Sequence, residues 1–125
     1  MALLDDGTLL ISVSGSFSAG GLSGVDEDVF RFTPTSLGAT TSGTWSFYFD
    51  GSSVAMNTSS TEDIAGLHSP TLNGPIYMTT PGAFSVAGVS GDGADIFLCQ
   101  PSSLGQNNTS CVFDVLGWLG LWLWQ

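Results

Sequence analysis

Asp28-Val29-Phe30-Arg31-Phe32-Thr33-Pro34-Thr35-Ser36-Leu37-Gly38 returns 67 positions later as Asp95-Ile96-Phe97-Leu98-Cys99-Gln100-Pro101-Ser102-Ser103-Leu104-Gly105. Working outward at the same shift, Gly7, Gly15, Phe17, Ser18, Gly21, Ser23 and Gly24 recur as Gly74, Gly82, Phe84, Ser85, Gly88, Ser90 and Gly91. The register runs without a gap from Asp6 over Asn73 to Trp45 over Val112, and thirteen of these forty positions are identical. Unrelated sequences would share about three at ordinary residue frequencies. Similarity at a fixed period means that each copy is one supersecondary unit that hides its apolar face against its neighbours.

The unit reads as all-β. Leu9 to Val13 and Ile76 to Thr80 are apolar segments of strand length, as are Val29 to Thr33 and Ile96 to Gln100. Thr44 to Phe49 alternates aromatic and polar residues, and Ile64 to Ser69 supplies a further strand. Ser-Gly clusters and the paired segments Pro34 to Gly38 and Pro101 to Gly105 are expected to be turns. One blade then runs Asp63 to His68, Pro75 to Thr80, Asp95 to Cys99 and Cys111 onward, a meander of four antiparallel strands. Residues 1–71 form the first repeat and 72–125 the second, within one structural unit.

Four-stranded blades point to a β-propeller, which needs four to eight of them. Two repeats are too few, so three or four chains are expected to assemble as a cyclic homo-oligomer that closes its open strand edges. The first blade starts without an innermost strand, which must come from a neighbouring molecule or from the N-terminal residues. The alternative architecture is a duplicated two-sheet β-sandwich.

Composition narrows the partners. The chain has 125 residues, 42% hydrophobic and only 10% charged, with Gly, Ser and Thr in place of Lys and Glu. Eleven acidic residues face one basic residue, Arg31, for a net charge of -10. Such a surface repels nucleic acid and anionic membranes and tolerates a divalent cation, calcium foremost, or a neutral ligand such as carbohydrate. No basic segment precedes Met1-Ala2-Leu3-Leu4, so the start does not read as a signal peptide. Val115 to Trp124 is apolar and carries Trp118, Trp122 and Trp124. It is too short for a membrane span of about 20 residues and is expected to be a buried or intersubunit strand.

Motifs for a serine nucleophile, a zinc site, a P-loop or a dinucleotide are missing from the sequence. What remains is acidic. Asp26-Glu27-Asp28, thinned to Asp92 and Asp95 in the second copy, lies in Gly- and Ser-rich turns whose oxygens suit calcium, although the spacing matches no dedicated calcium loop. A solvated turn is the plainer account. Glu62-Asp63 opens an inner strand, where rotational symmetry would ring several copies around one channel. The pair could bind a cation or act as acid and base in a glycosidase, with His68 and Asp50 as ligand-binding residues. A lone histidine on an inner strand is more often a satisfied core residue. Cys99 and Cys111 flank a turn centred on Gly105, so a symmetric hairpin would set them opposite each other, as a disulfide or as two buried thiols; they align with Phe32 and Thr44. Asn57-Thr58-Ser59 and Asn108-Thr109-Ser110 match the glycosylation pattern, which such turns also meet by chance.

The stretch Asp28 to Gly38, then Thr44-Trp45-Ser46-Phe47-Tyr48-Phe49-Asp50-Gly51-Ser52, Glu62-Asp63-Ile64 and Asn73-Gly74-Pro75-Ile76-Tyr77, resembles a repeat of large bacterial, often extracellular, proteins of unassigned function. The resemblance covers Leu3 to Cys111 and implies an extracellular or cell-surface parent protein. It carries no catalytic residues with it. Phe113 to Gln125 departs from the pattern, as a truncated or altered reading frame at the C-terminal end would produce. The chain is thus expected to be a non-catalytic module that assembles and binds a cation or glycan, or else a small glycoside hydrolase using Glu62 and Asp63.

Overall fold

The computed structural model describes residues 1–117. Its strands are β1 (Ala2–Leu3), β2 (Leu9–Ile11), β3 (Phe17–Ala19), β4 (Leu22–Gly24), β5 (Val29–Ser36) and β6 (Ser42–Phe49), followed by a 3-10 turn at Gly51–Val54. The second series is β7 (Gly66–His68), β8 (Ile76–Thr79), β9 (Phe84–Val86), β10 (Val89–Gly91), β11 (Ile96–Ser103) and β12 (Ser110–Gly117). Each copy builds a four-stranded antiparallel meander, β1-β2-β5-β6 and β7-β8-β11-β12, with a two-stranded hairpin inserted between its second and third strands. The all-β expectation holds, and the four strands expected of the second blade are those observed.

The first sheet takes its edge strand from the N-terminal residues, through Ala2 opposite Leu10 and Leu3 opposite Leu9. Strand β7 hydrogen-bonds to β8, so Gly66–His68 belongs to the second sheet although it lies before residue 72. The hairpins β3-β4 and β9-β10 were not expected from the sequence. In the first, Ala19 pairs with Leu22 across Gly20-Gly21, both at positive φ (57° and 80°), the conformation a tight two-residue turn demands.

Pro34 and Pro101 are corrected from turn to strand. Strand β2 pairs with β5 only as far as Phe32, so beyond that point β5 has β6 alone as neighbour. A residue without an N–H is tolerated in such one-sided pairing.

The gap-free register is also corrected beyond Gly105. Phe32 pairs with Trp45 in the first copy, and its counterpart Cys99 pairs with Phe113. The shift therefore becomes 68 in the last strand. One residue has been added in the connection after Gly105, so that Trp45 corresponds to Phe113 and Gly43, rather than Thr44, to Cys111. Part of the apparent divergence after Phe113 is this one-residue slip. The tail expected to form a buried strand, with Trp118, Trp122 and Trp124, lies outside the described residues.

Side chains alternate across a sheet, so register assigns the faces. Ile76, Cys99 and Phe113 share one face of the second sheet with Met78 and Phe97, and the hairpin folds over it to stack Phe84 on Phe97, centroids 4.0 Å apart. The matching face of the first sheet carries Leu9, Ile11, Phe30, Phe32 and Trp45, with Phe17 stacked on Phe30 at 3.9 Å. Such pairs contribute about 0.5–1.5 kcal/mol beyond the area they bury. The opposite face of the first sheet holds Ala2, Leu10 and Tyr48. These three join Ile76, Met78, Phe84, Phe97, Cys99 and Phe113 in a single buried cluster. The hairpin face of one sheet thus packs on the opposite face of the other.

Candidate functional site

The inter-repeat seam gathers most of the acidic residues singled out from the sequence, and their surroundings differ sharply. Glu62 is 2% exposed. Its Oε2 accepts hydrogen bonds from Thr58 N (3.0 Å), Thr58 Oγ1 (2.7 Å) and Ser59 N (3.2 Å), and its Oε1 accepts one from Ser85 N (3.0 Å). The carboxylate therefore ties the segment after the 3-10 turn to strand β9 of the second copy. Thr61 Oγ1, donating to Ala83 O at 2.7 Å, reinforces the same contact.

Asp50 caps the 3-10 turn. Its Oδ1 accepts from Ser52 N (3.1 Å) and Ser52 Oγ (2.6 Å), while Oδ2 reaches across the seam to accept from Asn107 N at 2.7 Å. Burial raises its pKa, but these donors outweigh burial and hold the carboxyl below the ordinary aspartate value. Backbone groups close the junction nearby: Asp50 N donates to Thr109 Oγ1 (2.8 Å), Gly105 N to Tyr48 O (2.9 Å), and Asn73 N to the Tyr48 hydroxyl (2.7 Å).

Asp28 and Asp95 do the same local work in the two copies. Asp28 Oδ2 accepts from Val25 N at 2.9 Å, and Asp95 Oδ2 accepts from the matching Asp92 N at 2.9 Å. Both fix the turn that leads into the third strand of their sheet. Asp28 alone makes a second long-range bond, from Gly51 N to its Oδ1 at 3.0 Å. Burial raises its pKa above the ordinary value despite these donors. Asp92 is exposed and accepts from Ala94 N at 2.9 Å.

Asp26, Glu27 and Asp63 make the one crowded acidic group. Ile64 N donates to Asp26 O at 3.0 Å, which draws the residue after Glu62-Asp63 onto the Asp26 turn. Glu27 is pushed up to about 7, first by burial and then by Asp26 and Asp28. Burial and Asp26 also raise Asp63. The structure therefore brings Asp63 to the Asp26-Glu27 turn and separates it in role from its neighbour Glu62. No group of three or more His, Cys, Asp or Glu among the described residues is arranged to hold a metal ion.

No known protein family, characterised protein or solved structure matches this chain. Its own geometry must therefore identify the surfaces that matter.

His68 is exposed, which corrects the core placement expected of it. It stands opposite Tyr77 on the face of the second sheet turned away from the first, with ring centroids 5.9 Å apart. Together with Leu67, Thr79, Ile96 and Leu116 the two rings line an open groove of about 390 Å3. A larger cleft of about 620 Å3 lies along the seam between Ser53, Thr58, Ser85 and Ser110. Sequence reasoning overlooked Tyr77 and Leu116; the alternation Ile76-Tyr77-Met78, with its middle residue facing the other way, was the available signal.

Arg31 donates from its guanidinium to Asp6 Oδ2 at 2.7 Å and from Nε to Thr8 Oγ1 at 3.1 Å. The lone basic side chain thus serves the Asp6-Gly7 turn. Cys99 and Cys111 form a disulfide with their Cα atoms 5.2 Å apart.

Proposed function

We propose that this chain is a non-catalytic repeat module that builds a β-propeller from three or four copies, and that its solvent-facing acidic turns and open faces meet a cation or a glycan. The observation that carries the reading is the packing of the hairpin face of the second sheet on the opposite face of the first. That arrangement is not self-limiting, because it leaves one face of each kind free to repeat it. Closed cyclic assembly is the ordinary end of such head-to-tail contacts.

The fate of the carboxylates supports a structural role over glycoside hydrolysis. A glycosidase needs two carboxyls free to reach the scissile bond, one to protonate the leaving oxygen and the other to act as base or nucleophile. Both oxygens of Glu62 are taken by four donors, and Glu62 is buried. Asp63 sides with Asp26 instead. The disulfide is in keeping with an extracellular or cell-surface parent, since such bonds persist where the surroundings are oxidising.

Light scattering with and without a calcium chelator tests this reading. A mass of three or four chains is expected. Dissociation by the chelator would give a cation a place in the assembly, whereas a monomer at every concentration would overturn the propeller.

A further inference from the structure

The two copies differ in a regular way in which face is covered. Ile76, Met78, Phe84 and Phe113 are buried, whereas their first-copy counterparts Leu9, Ile11, Phe17 and Trp45 are only half-buried. Leu3, on that same first-copy face, is 69% exposed. On the opposite face the order reverses. Ala2, Leu10 and Tyr48 of the first copy are buried, while their counterparts His68, Tyr77 and Leu116 are exposed or half-buried. Each face is thus less covered in one copy than in the other, although Phe30 and Phe32 on the first-copy face and Leu98 on the second are buried.

What covers these faces is on display at the seam. There the Ala2-Leu10-Tyr48 face of the first sheet lies in one cluster with Ile76, Met78, Phe84 and Phe113 of the second. We infer that a second copy of this chain supplies the missing cover, its His68-Tyr77-Leu116 face docking on the Leu9-Ile11-Phe17-Trp45 face of the first. This rests on the assembling-module reading and names its surface. Trp45 stands where Phe113 stands in the internal seam, so it enters the groove between His68, Tyr77 and Leu116 of the other copy. An indole has the area and shape of the anchors that dominate protein interfaces. The contact is heterologous, joining different patches on the two molecules, so it propagates until the ring closes.

The test uses two variants on each face and light scattering of the intact chain. Trp45→Glu and Leu3→Glu alter one face, and His68→Glu and Leu116→Glu the other. Leu3 and His68 are exposed in the single chain, so their replacement reports on docking without burdening the fold. Circular dichroism establishes that each protein remains folded. Every variant alone is expected to have at least tenfold weaker association than the wild type. Mixing Leu3→Glu with His68→Glu leaves one intact contact between unlike molecules, and a complex of two chains is expected. Assembly of both exposed-site variants at wild-type strength would overturn the surface while leaving the propeller standing. A two-chain complex formed by His68→Glu alone would also overturn it, because the Trp45 faces would then be pairing with each other. A monomeric wild type would overturn both the surface and the module.

Discussion

Cys99 and Cys111 occupy the diagonal of the second sheet that Phe32 and Gly43 occupy in the first. Cys99 is paired with Phe113 and Cys111 with Pro101, so the bridge runs across the ladder between residues that are not directly opposite. Phe32 is likewise paired with Trp45, and Gly43 with Pro34. A Cβ placed on Gly43 would lie 2.7 Å from Cζ of Phe32, so the ring fills the space a side chain would take. One copy closes this site with an aromatic ring over a glycine, and the other with a covalent bond. The symmetric-hairpin expectation missed the offset because the hairpin is centred on Gln106 rather than Gly105.

If the two sites are equivalent, the double variant Phe32→Cys/Gly43→Cys should form a second disulfide on oxidative refolding. Mass spectrometry after alkylation would register no free thiol in the folded variant, against four after full reduction, because the two introduced cysteines add to the chain's own two. Two persistent free thiols in the folded variant would refute the equivalence. The native bond encloses a separation of 12 residues. Its removal in Cys99→Ser/Cys111→Ser should lower unfolding free energy by about 3 kcal/mol, read from urea titrations.

Glu62→Gln should destabilise the fold by about 1–3 kcal/mol, because an amide cannot accept from all four donors that now converge on the carboxylate. Urea unfolding at pH 7 measures this. An unchanged midpoint would mean that the bonds to Thr58, Ser59 and Ser85 add nothing to the folded state.

Asp50→Asn tests the cap that crosses the seam. The substitution weakens the bonds from Ser52 and Asn107 and should cost about 1–3 kcal/mol at neutral pH. The folded pKa of Asp50 lies below the ordinary 3.8, so its charge stabilises the fold above that value. That contribution is lost as pH falls through the folded pKa. The difference between wild type and variant should therefore shrink in acid; a gap that stays constant down to pH 2 would contradict it.

Glu27 sets the opposite slope. Its pKa rises from 4.5 to about 7 on folding, so between those values the folded chain holds a proton that the unfolded chain has released. Stability falls as pH rises through this window. Asp28 and Asp63, also raised, act in the same sense from 3.8 upward. Thermal melts should show Tm dropping between pH 5 and pH 8, with Glu27→Gln flattening the drop. A Tm that climbs over this range would refute the account.

Much of the second sheet was legible because strand patterns and repeat spacing are local properties. The hairpins were harder. Phe17-Ser18-Ala19 and Leu22-Ser23-Gly24 are short and weakly apolar, and their order comes from stacking Phe17 on Phe30 of a strand farther along the chain. Glu62 and Asp63 read as one acidic pair, yet the chain turns before Glu62 and bends at Asp63, so the two side chains part. One turned inward to backbone donors and the other toward Asp26.

The sequence by itself determined that the chain is a duplicated all-β unit, because periodic apolar residues and recurring turn residues act within a few positions of one another. Only the tertiary structure decided which face of each sheet is covered, what Glu62 and Asp50 bind, and that Cys111 answers to Gly43. Those outcomes depend on register and on contacts between segments some 20 to 60 residues apart, where a single added residue after Gly105 shifts every partner in the last strand.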